Sequence, residues 1–198
     1  MTKIPFSDKY RPKRLNELII DDIIYNKLKN IIDSKDVPNM IFTGKSGVGK
    51  TSSIHCIARS IYPKSGLDAV IESNASDDRG IKFVQDTIQN FCKRKIIYQD
   101  GYAKHKLIIL DEADNITPKA QRLINSIMEN NPNTRFVFTC NTSSDIIESI
   151  QSRCIIIRFI IYIMCVNLNK SPMMKKLSNI YLSMFVKKIC VKHLICLN

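Results

Sequence analysis

The sequence of residues 40–61 reads MIFTGKSGVGKTSSIHCIARSI, and this stretch decides the fold. It begins with a mostly apolar run, Met40-Ile41-Phe42-Thr43, which is typical of a β-strand covered on both faces. A helical pattern extends from Lys50 to Ile61. Between the two, Gly44 to Thr51 fit the pattern G-x-x-x-x-G-K-[ST]. A strand, a glycine-rich loop and a helix in this order predict a phosphate-binding loop within an α/β protein.

The residue types of this loop suit the phosphates of a nucleoside triphosphate. Its glycines allow backbone N–H groups to converge on phosphate oxygens, and the start of the helix adds positive potential. Lys50 is expected to reach the β- and γ-phosphates, and Thr51 to offer its hydroxyl to Mg²⁺. An ordinary glycine-rich turn is the structural alternative, which the strand–loop–helix setting disfavours. The predicted nucleotide contacts in the loop are Gly44, Gly47, Val48, Gly49, Lys50, Thr51 and Ser52.

Further apolar runs and helical patterns alternate along the chain. The apolar runs predict strands at Met40–Thr43, Ala69–Glu72, Leu107–Leu110, Phe136–Thr139 and Cys154–Ile157. Periodicity predicts helices over Asp21–Ser34, Lys50–Ile61, Gly80–Lys95 and Lys119–Glu129, the last after the N-capping pair Thr117-Pro118. Because strands and helices alternate, the expected fold is a parallel sheet flanked by helices.

An acidic tetrapeptide, Asp111-Glu112-Ala113-Asp114, follows the apolar run Leu107–Leu110. The carboxyl ends of parallel strands meet at one edge of a sheet, so these carboxylates are expected to face the phosphate-binding loop. Asp111 is placed to hold the water shell of Mg²⁺, and Glu112 to orient or deprotonate the attacking water. A solvated acidic turn is the alternative for the tetrapeptide alone. Together, the loop and the tetrapeptide predict an NTPase.

Two single residues near the later strands have open interpretations. Asn141 follows the predicted strand Thr134–Cys140, and its amide either contacts the γ-phosphate or the attacking water, or simply belongs to a turn. Arg153 comes just before the next apolar run. It is either an ordinary surface charge or the planar guanidinium that an inter-subunit arginine finger requires.

Composition limits the class of protein. The 198 residues are 44% apolar and 24% charged, the balance of a soluble globular protein, which excludes a wholly disordered or collagenous chain. Lys and Arg number 30 against 18 acidic residues, and the net charge of +12 favours an anionic partner such as nucleic acid. Half of this excess lies in residues 159–198, which hold six Lys and no Asp or Glu.

Cysteine usage and hydropathy predict an intracellular protein without a membrane span. The seven cysteines include no C-x-x-C pair and no compact Cys/His spacing, so neither a disulfide framework nor a zinc site is expected. Residues 1–9 lack the apolar core of a signal peptide. The longest apolar stretch, Ile155 to Leu168, is interrupted by Arg158 and is shorter than the ~20 residues that cross a bilayer.

The motifs, taken in order, resemble the AAA+ clamp-loader small subunits, the family of eukaryotic replication factor C and its archaeal relatives. The resemblance is carried by Lys9-Tyr10-Arg11-Pro12 with Leu15-Asn16-Glu17, by Asn74-Ala75-Ser76-Asp77-Asp78-Arg79-Gly80-Ile81 and by Ser152-Arg153-Cys154. The acidic tetrapeptide also occurs in RNA helicases, whose companion motifs are missing here. The resemblance covers roughly residues 6–159, and within the family Val37-Pro38-Asn39 and Ile150-Gln151-Ser152-Arg153-Cys154 are most similar to small subunit 2.

The resemblance implies a fold and a mechanism. It implies an AAA+ P-loop ATPase domain whose five-stranded parallel sheet has the order 5-1-4-3-2 and is flanked by helices, with ATP and Mg²⁺ as cofactors. It implies that Arg153 acts in trans on ATP held by the adjacent subunit, so that Glu112, Asn141 and Arg153 are the expected catalytic residues. The residues that it places around the adenine are Tyr10, Arg11, Pro12 and Ile19.

The resemblance also implies partners: other clamp-loader subunits, a sliding clamp and primer-template DNA, in nuclear replication and repair. Clamp loaders track DNA phosphates with basic residues and helix N-termini. Basic residues at two predicted helix starts are the candidates here, and an ordinary solvated face is the alternative. They are Arg79, Lys82, Lys119 and Arg122.

The chain is expected to divide into an AAA+ domain at 1–159 and an atypical tail at 160–198. From Phe159 onward it has no Gly, Ala, Asp, Glu or Arg, and neither the family's helical lid, with its second sensor Arg, nor its collar domain is recognisable. A small amphipathic helix, an abnormal gene product and a basic surface-binding tail remain as explanations. The primary hypothesis is a clamp-loader ATPase subunit, and the alternative is a non-catalytic nucleotide-binding scaffold or an inactive truncated fragment.

Overall fold

Five parallel strands form one sheet in the computed structural model, which describes residues 11–62, 68–75 and 80–160 except the side chain of Phe83. The strands are β1 (Met40–Thr43), β2 (Val70–Asn74), β3 (Lys106–Asp111), β4 (Thr134–Cys140) and β5 (Ile155–Arg158). Their order across the sheet is β2-β3-β4-β1-β5, and every neighbouring pair is parallel. The predicted parallel sheet and its predicted order are confirmed.

Helices precede and connect the strands. They are α1 (Asp22–Ser34), α2 (Lys50–Ile61), α3 (Ile81–Phe83, a π-helical segment Val84–Gln89, and Asn90–Lys93), α4 (Pro118–Asn130) and α5 (Glu148–Gln151). Short 3₁₀ turns occur at Leu15–Glu17, Ala113–Asn115 and Ser143–Asp145.

Two helix starts are fixed by side-chain caps. The Asp21 carboxylate accepts a hydrogen bond from the Ile23 N–H at 2.8 Å, so α1 begins at the next residue after Asp21. The Thr117 hydroxyl accepts one from the Ala120 N–H at 3.4 Å, and Pro118 occupies the first turn of α4. The predicted capping pair Thr117-Pro118 is therefore present.

The strand register defines two edges of the sheet. Thr43 of β1 lies beside Cys140 of β4, and Leu110 of β3 lies beside Phe138 of β4. The loops after β1, β3 and β4 therefore leave from one end, here called the carboxyl edge, and the end where the strands begin is the amino edge. At about 3.3 Å per residue, a strand of four residues such as β1 separates the two edges by roughly 13 Å.

Apolar side chains pack on both faces of the sheet. Phe42 of β1 belongs to a buried cluster that includes Ile57 of α2, whereas Ile41 belongs to a second buried cluster that includes Ile124 of α4. Burial on both faces explains why the strands read as continuous apolar runs instead of alternating ones. Each such side chain contributes about 1.5–3 kcal/mol when it is fully buried, so the sheet is a stable frame for the loops at its edges.

A buried lysine closes the end of α3 at the amino edge. Lys106, the first residue of β3, is only 6% exposed. Its ammonium donates to the backbone oxygens of Phe91 at 3.0 Å and Cys92 at 2.6 Å, and also to that of Arg94. The last carbonyls of a helix lack N–H partners in a following turn, and the Lys106 ammonium supplies them with a donor, although the Phe91 carbonyl also accepts from the Arg94 N–H. Burial lowers the pKa of Lys106.

Several boundaries differ from the sequence prediction. Helix α3 ends at Lys93, two residues before the predicted end at Lys95, because Arg94 is extended and its carbonyl turns toward Lys106. Helix α5 was not predicted, since its four residues are too few to show a helical period. Residues 161–198 lie outside the described residues, so the division into 1–159 and 160–198 stays a prediction.

Candidate nucleotide-binding site

A cavity of about 470 Å³ opens at the carboxyl edge of the sheet. Its walls come from the glycine-rich loop, the start of α2, the ends of β3 and β4, and the N-terminal segment. The residues that line it are Arg11, Ser46, Gly47, Gly49, Lys50, Thr51, Ser52, Asp111, Glu112, Asp114, Thr139, Cys140 and Asn141. The glycine-rich loop and the acidic tetrapeptide, far apart in sequence, therefore share one cavity.

Two glycines shape the loop for different reasons. Gly49 has a φ of 95°, a left-handed conformation that is strained for residues with a side chain, and it directly precedes α2. A Cβ at Gly44 would lie 2.4 Å from the backbone oxygen of Phe159, so the close approach of these two backbones requires glycine. Gly44 does not line the cavity, and Val48 packs against a buried apolar cluster. The predicted nucleotide contacts of Gly44 and Val48 therefore stay predictions.

The Lys50 side chain folds back over its own loop. Its ammonium donates to the backbone oxygen of Gly44 at 2.6 Å and to that of Lys45 at 3.0 Å. Lys50 is half-buried, and desolvation lowers its pKa. Both acceptors are neutral carbonyls, and Lys50 lines the cavity, so a phosphate oxygen that enters there offers this ammonium a stronger partner.

Three side chains from α2, β3 and β4 form a small polar cluster. The Thr51 hydroxyl lies 3.1 and 3.2 Å from the two carboxylate oxygens of Asp111, and the Thr139 hydroxyl donates to the same carboxylate. Sequence reasoning missed Thr139. The sheet order makes β4 the neighbour of β3, and Phe138 lies beside Leu110, so the register would have placed Thr139 next to Asp111.

The donor atoms of this cluster fit a magnesium ion. Mg²⁺ prefers oxygen ligands and usually combines one or two carboxylates with phosphate oxygens and waters. Thr51 and Asp111 supply a hydroxyl and a carboxylate within 3.2 Å of each other at the wall of the cavity. In the described ranges, no group of three or more His, Cys, Asp or Glu side chains could hold a metal ion by itself.

Glu112 occupies a special backbone position at the end of β3. Its φ of 54° and ψ of 43° are left-handed, which is uncommon for a residue other than glycine. Its N–H donates to the Thr139 hydroxyl at 3.0 Å, and its exposed side chain lines the cavity. The backbone bend therefore holds the carboxylate at the cavity wall, where a water molecule can reach it.

Asn141 is tied to the acidic tetrapeptide. Its side-chain amide donates to the Asp114 carboxylate at 2.8 Å, and its backbone oxygen accepts from the Thr43 hydroxyl at 3.1 Å. The other Asp114 oxygen is buried without a hydrogen-bond partner among the described residues. Side chains that follow or end the two neighbouring strands thus hold Asn141 in place. An ordinary turn residue does not require such contacts. Sequence reasoning gave Asp114 no role.

A cysteine also reaches the cavity, but thiol chemistry is not expected there. Cys140 is the last residue of β4 and is buried. Desolvation raises the pKa of its thiol to about 11. The thiol therefore stays protonated near neutral pH and is a poor nucleophile.

The N-terminal segment is held against α2 beside the cavity. Arg11 lines the cavity, and the Pro12 carbonyl accepts a hydrogen bond from the Cys56 thiol at 3.6 Å. Neither Pro12 nor Ile19 lines the cavity in this structure, and Ile19 is 68% exposed. Tyr10, the fourth residue expected around the adenine, lies outside the described residues.

A histidine–carboxylate pair lies next to this segment. His55 of α2 lies beside Glu72 of β2, with 3.2 Å between Nε2 and Oε1. The hydrogen bond from His55 lowers the pKa of Glu72. His55 also lies close to the N-terminal segment, since its Nε2 is 3.5 Å from Arg11 Nη1.

Arg153 lies at the amino edge, opposite the cavity. It precedes β5, and its Nε donates to the Asn125 side-chain oxygen at 3.0 Å while its Nη2 donates to the Glu129 carboxylate. Arg153 does not line the cavity. The two edges are roughly 13 Å apart, so the guanidinium is too remote to act on a phosphate bound in its own chain.

The basic residues considered for DNA binding occupy two helix starts. Lys82 is exposed in the first turn of α3, and Lys119 and Arg122 are exposed near the start of α4. Arg79 lies outside the described residues. The positions at helix starts agree with the predicted helix boundaries. Across the described part of the chain, no helix is long and apolar enough to span a membrane.

Comparison with protein families gives one match. Residues 40–162 match the model of the ATPase family associated with various cellular activities (AAA). These residues include the glycine-rich loop, the acidic tetrapeptide, Asn141 and Arg153.

The similar proteins are replication factor C subunits. The chain is 43% identical over 158 residues to replication factor C subunit 4 of Saccharomyces cerevisiae, which covers 79% of this chain and 48% of the relative. It is 42% identical over 153 residues to the replication factor C small subunit of Natronomonas pharaonis, covering 77% of this chain and 46% of the relative. The chain spans about half the length of the curated relatives it matches.

A viral relative matches more of the chain. The putative replication factor C small subunit R395 of Acanthamoeba polyphaga mimivirus is 38% identical over 189 residues, covering 95% of this chain and 53% of the relative. A match of that length includes most of residues 160–198. The similarity thus continues past residue 159, where the sequence resemblance was expected to end.

Solved structures share the fold at low identity. The Thermotoga maritima RuvB Holliday junction branch migration motor superimposes with a TM-score of 0.58 at 19% identity, covering 75% of this chain and 48% of the other. At this identity, the likeness supports the fold alone.

Proposed function

The chain belongs to the ATPase family associated with various cellular activities (AAA), and on that premise we propose that it is an ATPase subunit of a sliding-clamp loader. The observation that carries the proposal is that Lys50, Thr51 and Asp111 line one cavity beside Glu112 and Asn141. The similarity to replication factor C subunits supports the clamp-loader assignment.

Nucleotide binding rests on the loop and on Lys50. The backbone N–H groups of Gly47 and Gly49 and the start of α2 supply positive potential for the phosphates. The Lys50 ammonium leaves the carbonyls of Gly44 and Lys45 and binds the β- and γ-phosphate oxygens. Ser52 in the first turn of α2 lines the same wall. The adenine is proposed to lie along the N-terminal segment, against Tyr10, Arg11, Pro12 and Ile19.

Thr51 and Asp111 are the proposed magnesium ligands. The bound ion would neutralise charge on the phosphate oxygens and so favour attack on the γ-phosphorus. Thr139 holds the Asp111 carboxylate from the side of β4, so that carboxylate keeps one orientation. A fixed carboxylate loses little conformational freedom when the metal binds.

Hydrolysis is assigned to Glu112 and Asn141. The Glu112 carboxylate accepts a proton from the attacking water or orients that water, and its left-handed backbone keeps it at the cavity wall. The Asn141 amide, held by Asp114, contacts the γ-phosphate or the water. Arg153 completes the site of the adjacent subunit, because it lies on the edge away from its own cavity.

The switching between states is proposed to act on a clamp and DNA. ATP binding would favour one arrangement of the ring of subunits, which opens a sliding clamp and grips primer-template DNA, and hydrolysis would release both. The exposed positions of Lys82, Lys119 and Arg122 suit contacts with DNA phosphates, and Arg79 is proposed as a further DNA contact. We place this activity in nuclear replication and repair, with residues 1–159 as the AAA+ domain and 160–198 as a tail.

The decisive experiment measures ATP turnover by the full chain assembled with the other subunits of its complex, with and without primed DNA. Glu112→Gln is expected to keep nucleotide binding and to lower turnover by about 100-fold or more, since the base is lost and the phosphate contacts remain. Glu148→Gln, an exposed carboxylate of α5, is the matched control and is expected to behave like the wild type. Equal turnover in Glu112→Gln would contradict the assignment. Nucleotide binding without any turnover would support the non-catalytic scaffold instead.

A further inference from the structure

The Arg153 guanidinium is held by one face of α4. Asn125 and Glu129 are four residues apart and so lie on the same face of the helix. Asn125 accepts from Arg153 Nε at 3.0 Å and donates its own amide to Glu129 Oε1 at 3.2 Å, and Glu129 accepts from Arg153 Nη2. Each of the three side chains contacts the other two. We call these residues the Arg153 network.

The network engages a particular side of the guanidinium. The five N–H donors of arginine include one on Nε and two on each Nη nitrogen. α4 binds the side edge formed by Nε and Nη2, so the end edge formed by Nη1 and Nη2 keeps its donors. Within residues 11–62, 68–75 and 80–160, no further hydrogen bond to this guanidinium is found. The end edge is the one that can bind two phosphate oxygens at once.

Stability does not account for the network. Arg153 and Glu129 have side chains that are 43% and 46% exposed, and ion pairs at such exposed positions contribute little to the stability of the fold. An isolated exposed arginine would sample many rotamers, and binding a phosphate would then cost the entropy of ordering it. Two contacts to a helix that packs on the sheet remove much of that cost before a phosphate arrives.

We infer that Glu129 and Asn125 are positioning residues that hold the Arg153 guanidinium with its end edge presented to the triphosphate of an adjacent subunit. This inference rests on the proposed function, since it requires that Arg153 acts in trans. Glu129 and Asn125 contact neither phosphate nor water in this arrangement. They act on the rate only through Arg153.

The test compares ATP turnover of complexes that contain Glu129→Gln, Arg153→Ala or both changes in this chain. Glu129→Gln is expected to lower kcat about tenfold with the KM for ATP unchanged, because a misplaced group loses transition-state contacts while ground-state binding persists. Arg153→Ala is expected to lower kcat by about 10³-fold. The double variant should be no slower than Arg153→Ala alone, and Glu129→Asp should recover part of the loss.

Controls distinguish a failure of the positioning role of Glu129 from a failure of the trans role of Arg153. Glu148→Gln removes an exposed carboxylate from α5 and should leave kcat unchanged, and thermal unfolding of Glu129→Gln should match the wild type closely. If Arg153→Ala turned over ATP normally, the trans role in the proposed function would fail. If Arg153→Ala were slow but Glu129→Gln fast, or if Glu129→Gln slowed the Arg153→Ala background further, only the positioning role would be overturned. Asn125→Ala provides a second variant for the same comparison.

Discussion

Lys50 and Lys106 lie at opposite edges of the same sheet, and both donate hydrogen bonds to backbone carbonyl oxygens. Lys106 is buried and bonds three carbonyls at the end of α3. Lys50 is half-buried, lines the cavity and bonds two carbonyls of its own loop. Desolvation lowers the pKa of both.

The difference lies in the alternatives open to each ammonium. The Lys106 ammonium is buried and bonds three carbonyls at and just past the end of α3, so its bonds are part of the fold. Lys50 itself lines a cavity where phosphate oxygens compete with its two carbonyl acceptors, and an anion is a stronger acceptor than a neutral carbonyl. The same type of contact is therefore permanent at the amino edge and exchangeable at the carboxyl edge.

The largest effect is expected from Lys50→Ala. Loss of the charge-assisted bonds to phosphate should weaken nucleotide affinity by about 100-fold or more, with little change in the free energy of unfolding. Calorimetric titration with ATP and Mg²⁺ measures the affinity. Lys45→Ala, an exposed lysine of the same loop, is the matched control and should bind normally. Unchanged nucleotide affinity in Lys50→Ala would show that the Lys50 ammonium does not exchange its carbonyl acceptors for phosphate.

Lys106→Met should show the opposite pattern. Methionine keeps much of the apolar stem but removes the ammonium donor that three carbonyls share, so the free energy of unfolding should fall by about 2 kcal/mol. Urea unfolding measures this loss, and nucleotide affinity should change little, since Lys106 lies at the other edge. Lys104→Met, an exposed lysine paired with Asp100, is the control. A variant as stable as the wild type would show that these bonds are not needed for the fold.

The smallest effect concerns protons. The lowered pKa of free Lys50 should rise when phosphates replace the carbonyls, because they stabilise the charged form. Binding then takes up a fraction of one proton at alkaline pH, and affinity falls as the pH rises through the lowered pKa of the free state. Calorimetry in two buffers with different ionisation enthalpies measures the uptake. Lys106→Met should show the same uptake as the wild type. Loss of the proton uptake in Lys106→Met would show that Lys106, and not Lys50, takes up the proton.

The arrangement of residues at the carboxyl edge was largely predictable, because most of them belong to two short sequence motifs. Gly44 to Thr51 and Asp111 to Asp114 each follow an apolar strand, and parallel strands bring their ends together. Predicting the contact of Thr139 with Asp111 also requires the register between β3 and β4. Ile19 is exposed and does not line the cavity in this structure, so its predicted place beside the adenine stays a prediction.

The amino edge was much less predictable. A lysine at the start of a strand is usually solvated, and the burial of Lys106 depends on where α3 ends, which no local pattern shows. The location of Arg153 before β5 follows from the sequence, but its contacts with Asn125 and Glu129 depend on how α4 packs. Long-range packing decides both cases.

The short distance between Gly44 and Phe159 restricts what residue 44 can be. The Phe159 carbonyl fills the space that even a methyl group would need, and the Phe159 N–H donates to the Thr43 oxygen at 2.7 Å. Alanine at this position would push the chain leaving β5 away from β1 without touching the cavity itself. The first glycine of the loop thus determines where the chain runs after the last strand. Its replacement would displace the backbone at Phe159 and would not block the cavity.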